Sequence, residues 1–359
     1  MFVLGSRRHR VGLAQGSRGS YGDFALARYT ATRTGKTKGA AMIEILGTEA
    51  EEQNPTPTDG MADDARSFAA SELAALLPWP KPDAHKYSRG KLTIIGGAAA
   101  YPGAACLAAV ASQRMGAGYT EVLCALESVP TVRAFRPSLV VRSWEGVDAR
   151  SFAEIRPGKP VAYAVGSGLD DSSEDSAAEA KRLVCRALKH AHAPVLVDGG
   201  GLSALATQKG RRLLRRRFLN GWATVITPHI GEAARLAEPL GIPAGDQKEL
   251  VRKLALAYGA IAVVKGADTY VSDGETTVCI GEGTPALAKA GTGDVLAGML
   301  GALLAQGLDS LDAAVLAVTL HARAGRIAAE RLTDIAVTAE DVVDALPAAI
   351  RATAEATRA

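Results

Sequence analysis

The 359-residue sequence predicts an α/β fold with a mostly parallel central sheet covered by helices on both faces. Three observations lead there. From Leu73 onward, apolar runs of three to five residues alternate with helical stretches, the pattern of a parallel sheet buried on both sides. Most of those runs end in Gly, Asp or Pro, as strands feeding tight connections do. The composition is 48% hydrophobic and 5% aromatic with 38 glycines, the balance of a globular α/β chain.

The elements follow in order. Residues 92–95 read as a strand ending in Gly96-Gly97, with a helix from Ala104 to about Met115. Residues 120–123, 161–165, 195–197, 223–226 and 261–264 are further parallel candidates. Residues 269–271 and 277–279 flank Asp273-Gly274, a hairpin signal. Two long helices, about 293–305 and 310–329, close the domain. Nothing in 73–359 reads as an internal repeat or a linker, so this stretch is expected to be one domain.

Residues 1–72 read differently. Residues 1–41 carry eight Arg or Lys against Asp23 alone, so without them the formal charge would fall from +3 to −4. Residues 42–72 carry eight acids against Arg66 alone. Neither stretch sustains an apolar period, so 1–72 is expected to be a disordered N-terminal extension. Its Arg-rich, hydroxyl-rich start is similar to a transit peptide, and Met42 and Met61 are alternative starts. A charge of +3 is too small to argue for nucleic acid or a membrane surface, and no apolar run reaches the roughly 18 residues of a span. Cys106, Cys124, Cys185 and Cys279 are scattered without metal spacing and read as apolar residues of a reducing, cytoplasmic compartment.

The most informative segment is Ala290-Gly291-Thr292-Gly293-Asp294-Val295-Leu296-Ala297-Gly298, a glycine-rich turn that opens an apolar helix. A helix N-terminus offers unpaired N–H groups and the positive end of the dipole, so Gly291, Thr292 and Gly293 are a candidate anion hole. A carboxylate there, Asp294, suits proton abstraction from a hydroxyl attacking a phosphoryl group; the plainer reading is a helix cap. Four other strand ends join it. Gly96-Gly97 leads to Tyr101-Pro102-Gly103-Ala104 without the Lys-Ser/Thr of a P-loop. Gly166-Ser167-Gly168 allows close backbone approach. Asp198 suits Mg²⁺ held through water, or a cap on the following helix. His229, in Thr227-Pro228-His229-Ile230-Gly231-Glu232, faces the ligand edge, with Glu232 either capping or completing the magnesium shell. A fifth motif, Lys265-Gly266-Ala267-Asp268-Thr269, combines a point charge with backbone access, which suits a nucleotide phosphate. His190 and His192 read as solvent-facing, and His321 as a packing histidine.

In this order the motifs resemble those of the ADP/ATP-dependent NAD(P)H-hydrate dehydratase family, of the ribokinase-like superfamily, over about residues 80–330. His85-Lys86, Ile95-Gly96-Gly97, Tyr101-Pro102-Gly103-Ala104, the His229 motif, the Lys265 motif and the Asp294 motif carry the resemblance. It implies a ribokinase-like three-layer α/β/α fold. The implied reaction restores NADH or NADPH from the S-epimer of its hydrate: a nucleotide phosphorylates the hydrate hydroxyl, and phosphate is then eliminated. It further implies Asp294 as the base and also a substrate contact, with Ala104, Gly168 and His229 against the hydrated dinucleotide. Lys265, Gly266, Ala267, Asp268, Thr269 and Gly293 would hold ADP or ATP, Mg²⁺ would neutralise the phosphates, and the enzyme would be a homo-oligomer. Two departures stand out. Lys289 replaces a small hydroxyl residue and would add charge near the phosphates, and Gly199-Gly200 replaces an alanine–acid pair beside Asp198. The alternatives are a ribokinase-like kinase releasing a phosphorylated small molecule, and a silent nucleotide-binding module.

Overall fold

The computed structural model describes residues 10–14, 25–29, 67–152, 158–170 and 172–356. The chain divides into two compact units, Met1–Met61 and Ala62–Ala359. In the first, strand β1 (Arg10–Ala14) pairs antiparallel with β2 (Ala25–Tyr29), Arg10 opposite Tyr29, where no ordered element was expected. The rest of residues 1–66 lies outside the described residues. Helix α1 (Ala70–Ala75) runs across the expected boundary at 72.

The second unit begins β3 (Lys91–Ile95), α2 (Pro102–Arg114), β4 (Tyr119–Cys124), α3 (Val129–Phe135) and β5 (Val140–Ser143). It continues with β6 (Val161–Val165), α4 (Glu174–His190), β7 (Val195–Val197), α5 (Gln208–Leu219), β8 (Thr224–Ile226), α6 (Ile230–Ala237), α7 (Gln247–Tyr258) and β9 (Ile261–Val264). The antiparallel β10 (Thr269–Ser272) and β11 (Thr277–Ile280) follow, then α8 (Thr292–Ala305), α9 (Ser310–Leu332) and α10 (Ala339–Glu355). The sheet runs β11-β10-β9-β8-β7-β6-β3-β4-β5, parallel from β9 to β5.

Two elements were not anticipated. Strand β5 is an edge strand in which Val141 alone is buried, so it lacks a full apolar run. Helix α10 carries Pro347 internally, which reads as a breaker. Its start is nonetheless well marked: Thr338 and Asp341 form a reciprocal capping box.

Strand alternation builds two cores. Leu92, Ile94, Ala162 and Ala164 face the layer of α2, α8, α9 and α10, while Ile95, Tyr163 and Val165 face the layer of α4 to α7. Helix α8 is buried over most of its length, from Val295 to Ala305, which marks a helix enclosed by its neighbours.

Among the described residues one cationic side chain is fully buried. The Arg217 guanidinium, on α5, donates Nε to Thr224 Oγ1 at 2.8 Å and Nη2 to the carbonyls of Ala193 and Ala223 at 2.6 and 2.8 Å; Nη1 donates to the Ala191 carbonyl. It pins the starts of β7 and β8, and burial pulls its pKa down to about 10. Arg217→Met should cost about 3 kcal/mol, because the Ala191 and Ala193 carbonyls lose their donor and that of Ala223 keeps only the Val195 N–H, a loss that a urea melt measures. Arg217→Lys should recover less than half, since an ammonium cannot reproduce the planar fork.

The chain runs from β3 outward to β5, then returns to the other side of β3 with β6. Open α/β sheets bind ligands beyond the carboxyl ends of the strands at such a reversal. That edge carries the loops after β3, β6, β7, β8 and β9, which are the strand-end motifs.

Candidate active site

Helix α8 sets the centre of the site. Gly291 is its N-cap at φ +93°, a conformation open to glycine, and a Cβ there would stand 2.7 Å from Leu107 Cδ1 and 3.0 Å from Ala339 Cβ. Thr292 is buried, and its hydroxyl donates to the carbonyls of Leu287 at 2.8 Å and Lys289 at 2.9 Å. The first-turn N–H groups of Gly293 and Asp294 have no partner within a helix, by geometry alone. The turn is thus a fixed cradle of the kind that suits an anion.

Asp294 sits in that first turn, half-buried. Burial first, then the charge of Asp198, raise its pKa to about 6, against lowering by a hydrogen bond from the Ser167 side chain and by the charge of Lys265. A carboxylate poised near 6 is ionised at neutral pH and basic enough to take a proton from an attacking hydroxyl. Ser167, which reads in the sequence only as part of a glycine loop, thus hydrogen-bonds the Asp294 carboxylate. Ser167→Ala should move the acid limb of kcat/KM up by about 0.5–1 pH unit, because the removed bond favours the charged form. A pH–rate profile reads this directly.

Beneath the cradle lies Lys265, at the end of β9; a Cβ on Gly293 would come 3.5 Å from its Nζ. The ammonium donates to Asp198 Oδ1 at 2.9 Å, and the same oxygen accepts from Thr227 Oγ1 at 2.7 Å. Burial works against this ammonium, but Asp198, then Glu232 and Asp294, offset it and hold its pKa above the ordinary value. Asp198 makes no side-chain cap to the following turn, so the capping alternative is set aside. The glycines that follow have a steric reason: a Cβ on Gly200 would meet the Leu169 carbonyl at 2.2 Å.

The loops after β3 and β6 cross at the sheet reversal. Gly97 N–H donates to the Ser167 carbonyl and Ala98 N–H to the Gly168 carbonyl, both at 2.8 Å. Gly168, at φ +67°, lies against the first turn of α2, where a Cβ would meet Ala104 Cβ at 2.8 Å. On the other flank, His229 bridges to Lys265 and caps α6: its Nδ1 accepts from the Gly231 N–H at 3.0 Å, and Glu232 Oε2 accepts from the His229 N–H at 2.8 Å. The capping role open to Glu232 is thus realised, and the exposed His229 ring holds its Nε2 3.6 Å from Glu232 Oε1. Ala104, Gly168, Asp294, Lys265 and His229 form one continuous row.

Gly266, Ala267 and Asp268 are exposed, braced by Gln247 Nε2 to the carbonyls of Val264 and Asp268 at 3.1 and 3.0 Å. Gly283 packs beside them, since a Cβ there would lie 3.0 Å from the Ala267 carbonyl. Gly283, Thr284, Arg326 and Asp334 line an adjoining cavity of about 440 Å³. One buried group here does more than the packing expected of it. His321, on α9, hydrogen-bonds the Thr292 backbone, its Nε2 has no partner, and burial pulls its pKa down to about 4, so it is neutral beside the cradle. His190 stacks on Phe152 and His192 on Trp222, away from this row.

No group of three His, Cys, Asp or Glu among the described residues is arranged to hold a metal ion directly. Asp198 has Oδ2 to spare, and three carboxylates act on one ammonium. That donor set fits a hydrated cation carried by phosphates better than an all-protein cage.

A family model described as NAD(P)H-hydrate dehydratase matches residues 92–348. The chain belongs to the NAD(P)H-hydrate dehydratase family. Among its relatives, the ADP-dependent (S)-NAD(P)H-hydrate dehydratase of Xanthomonas campestris is 32% identical over 298 residues, 79% of this chain and 95% of that one. The Escherichia coli bifunctional NAD(P)H-hydrate repair enzyme is 32% identical over 78% of this chain, which spans 51% of that longer protein. In structure, the Bacillus subtilis ADP/ATP-dependent NAD(P)H-hydrate dehydratase, co-crystallised with ATP and Mg²⁺, aligns with a TM-score of 0.67 at 25% identity, over 81% of this chain and all of that one. The fold of this family member is ribokinase-like. No helix among the described residues is long and apolar enough to cross a membrane.

Proposed function

We propose that this chain dehydrates the S-epimer of NADH or NADPH hydrate, with ADP or ATP as phosphoryl donor. The observation that carries the reading is Asp294, a carboxylate of raised pKa held by Ser167 at the mouth of the α8 cradle. Asp294 accepts the proton of the hydrate hydroxyl as its oxygen attacks the terminal phosphorus of the nucleotide. The P–O bond to the nucleotide breaks, and the N–H groups around Gly291, Thr292 and Gly293 stabilise the charge on the transferring phosphoryl group. The C–O bond of the phosphorylated hydrate then breaks, pushed by the ring nitrogen, and loss of the neighbouring C5 proton completes the dihydropyridine. Phosphate leaves where hydroxide would not.

Ala104 and Gly168, close-packed at the sheet reversal, and the exposed His229 ring are proposed to contact the hydrated dinucleotide. Lys265 to Thr269 and Gly293 are proposed to hold the nucleotide, with the neighbouring cavity within the size range of small-molecule sites. Mg²⁺, when bound, supplies charge neutralisation; Asp198 and Glu232 would hold it through its waters. We also assign the cytoplasm and a homo-oligomeric state; the three buried cysteines support a reducing setting, and light scattering measures the assembly.

The test is absorbance at 340 nm with purified protein, NADPH hydrate, Mg²⁺ and either nucleotide. A nucleotide-dependent rise identifies the dehydratase and its donor. A stable phosphorylated product with no rise would replace it with a small-molecule kinase.

A further inference from the structure

Lys289 was expected to bring charge to the nucleotide phosphates, and the structure uses that charge elsewhere. Its Nζ donates to the carbonyls of Ile335 and Val337, each at 2.5 Å, across the loop between α9 and α10. Its own carbonyl accepts from the Thr292 hydroxyl at 2.9 Å, inside the turn that presents Asp294. One residue therefore links the α9–α10 loop to the cradle, through its side chain on one side and its backbone on the other.

The loop needs such a tie. It opens at Thr333, the only non-glycine residue of positive φ among the described residues, at φ +89°. Side chains that branch at Cβ resist that conformation, which persists where surrounding contacts over-determine it. A second link joins the same two segments: Thr284 Oγ1 donates to Asp334 Oδ1 at 2.6 Å. Beyond the loop, Ala339 at the start of α10 lies against Gly291, where any added Cβ would come within 3.0 Å of it. The loop, the start of α10 and the cradle are thus one packed unit with the Lys289 ammonium at its outer seam.

We infer that Lys289 is a positioning residue whose ammonium, clamped by the Ile335 and Val337 carbonyls, holds the Gly291–Asp294 turn in register. An ammonium has three donors, and two are committed to backbone 46 and 48 residues further along. A phosphate-binding lysine must swing to its ligand, and swinging here would strip two carbonyls of their donor. The charge serves geometry, and its removal lowers the rate of phosphoryl transfer because displacement of a base by as little as about 1 Å costs on the order of 100-fold.

The kinetic part of this inference rests on the dehydratase reading, so the experiment has an arm independent of turnover. Full-length wild type, Lys289→Ser and Lys289→Met are compared by amide hydrogen exchange resolved to residues 333–338, by thermal melting, and by dehydratase kinetics. Expected in both variants are faster exchange across 333–338 and a kcat lower by about 10- to 100-fold, with the nucleotide KM changed less than about threefold. Ammonium chloride, against sodium chloride at equal ionic strength, should restore part of the kcat of Lys289→Ser by refilling the clamp. Unchanged exchange across the loop overturns the inference whatever the enzyme turns over. A nucleotide KM raised about tenfold or more with kcat retained overturns it in favour of a phosphate contact. Should a neutral variant melt much below wild type, Lys289→Arg decides: it retains charge, so full kcat there, despite a loop exchanging like that of the neutral variants, overturns positioning. Absence of dehydration by wild type defeats the functional reading alone and leaves the exchange arm standing.

Discussion

Asp294→Asn should lower kcat by about 10³- to 10⁴-fold while nucleotide affinity changes little, as loss of a general base with retained shape does. The amide is nearly isosteric and leaves the cradle N–H groups in place. The same substitution should stabilise the protein at neutral pH. Asp294 has a folded pKa near 6, above the ordinary carboxylate value, with burial first and Asp198 second among the causes. Between about pH 4 and pH 6 the unfolded chain releases this proton first, so the folded state binds more protons and stability falls as pH rises through that window. Above pH 6 the cost is fully present, about 1–3 kcal/mol, and the asparagine variant does not carry it. Single-turnover kinetics with isotherms for ADP and ATP check the first expectation. Urea midpoints at pH 4 and pH 7.5 check the second: the variant should gain over wild type only at the higher pH. Near-normal turnover would remove Asp294 from the base role.

Gly298→Ala should cost about 3 kcal/mol or more, with a fall in kcat/KM that survives at temperatures where the variant is folded. A Cβ at Gly298 would stand 2.0 Å from the Ala108 carbonyl oxygen and 2.7 Å from its carbon, and both are backbone. The two helices must therefore separate where α8 crosses α2. Gly298 lies one helical turn after Asp294, and the first turn of α2 holds Ala104 against Gly168, so separation moves the proposed base and the proposed substrate floor in opposite directions. Denaturant melts give the first quantity. A ratio of kcat/KM between variant and wild type, taken well below the midpoint, gives the second.

How much of this could be read from the chain follows from which interactions are local. Each strand-end motif announces itself, because glycines, a following helix start and an apolar strand before it are neighbours in sequence. The motifs around Gly166, Asp198, Thr227 and Lys265 do converge, as a parallel sheet requires of consecutive strand ends, and the Asp294 turn joins them from the start of α8. What no local pattern encodes is pairing across 67 residues: Lys265 looked like a free phosphate ligand and is bonded to Asp198. The partners of Lys289 were hidden for the same reason, being two backbone carbonyls that carry no side-chain signature. His321 reads as apolar packing in an Ala-rich helix, and its bond to the Thr292 backbone appears only once α9 lies beside α8. Strand β5 escaped because an edge strand needs few apolar residues, and α10 because Pro347 masks a helix whose capping box was visible.

Burial of α8 along most of its length has a consequence for how the enzyme fails. A loop-borne site can melt ahead of its scaffold and recover on cooling, giving activity a lower thermal threshold than the fold. Here the proposed base stands on the helix that both halves of one core share, and that helix cannot open without exposing the apolar surfaces of β3, β6 and α2 together. The cradle thus draws on the global unfolding free energy rather than a local one. Heat should abolish turnover and tertiary structure at a single midpoint, with no inactive native-like state between.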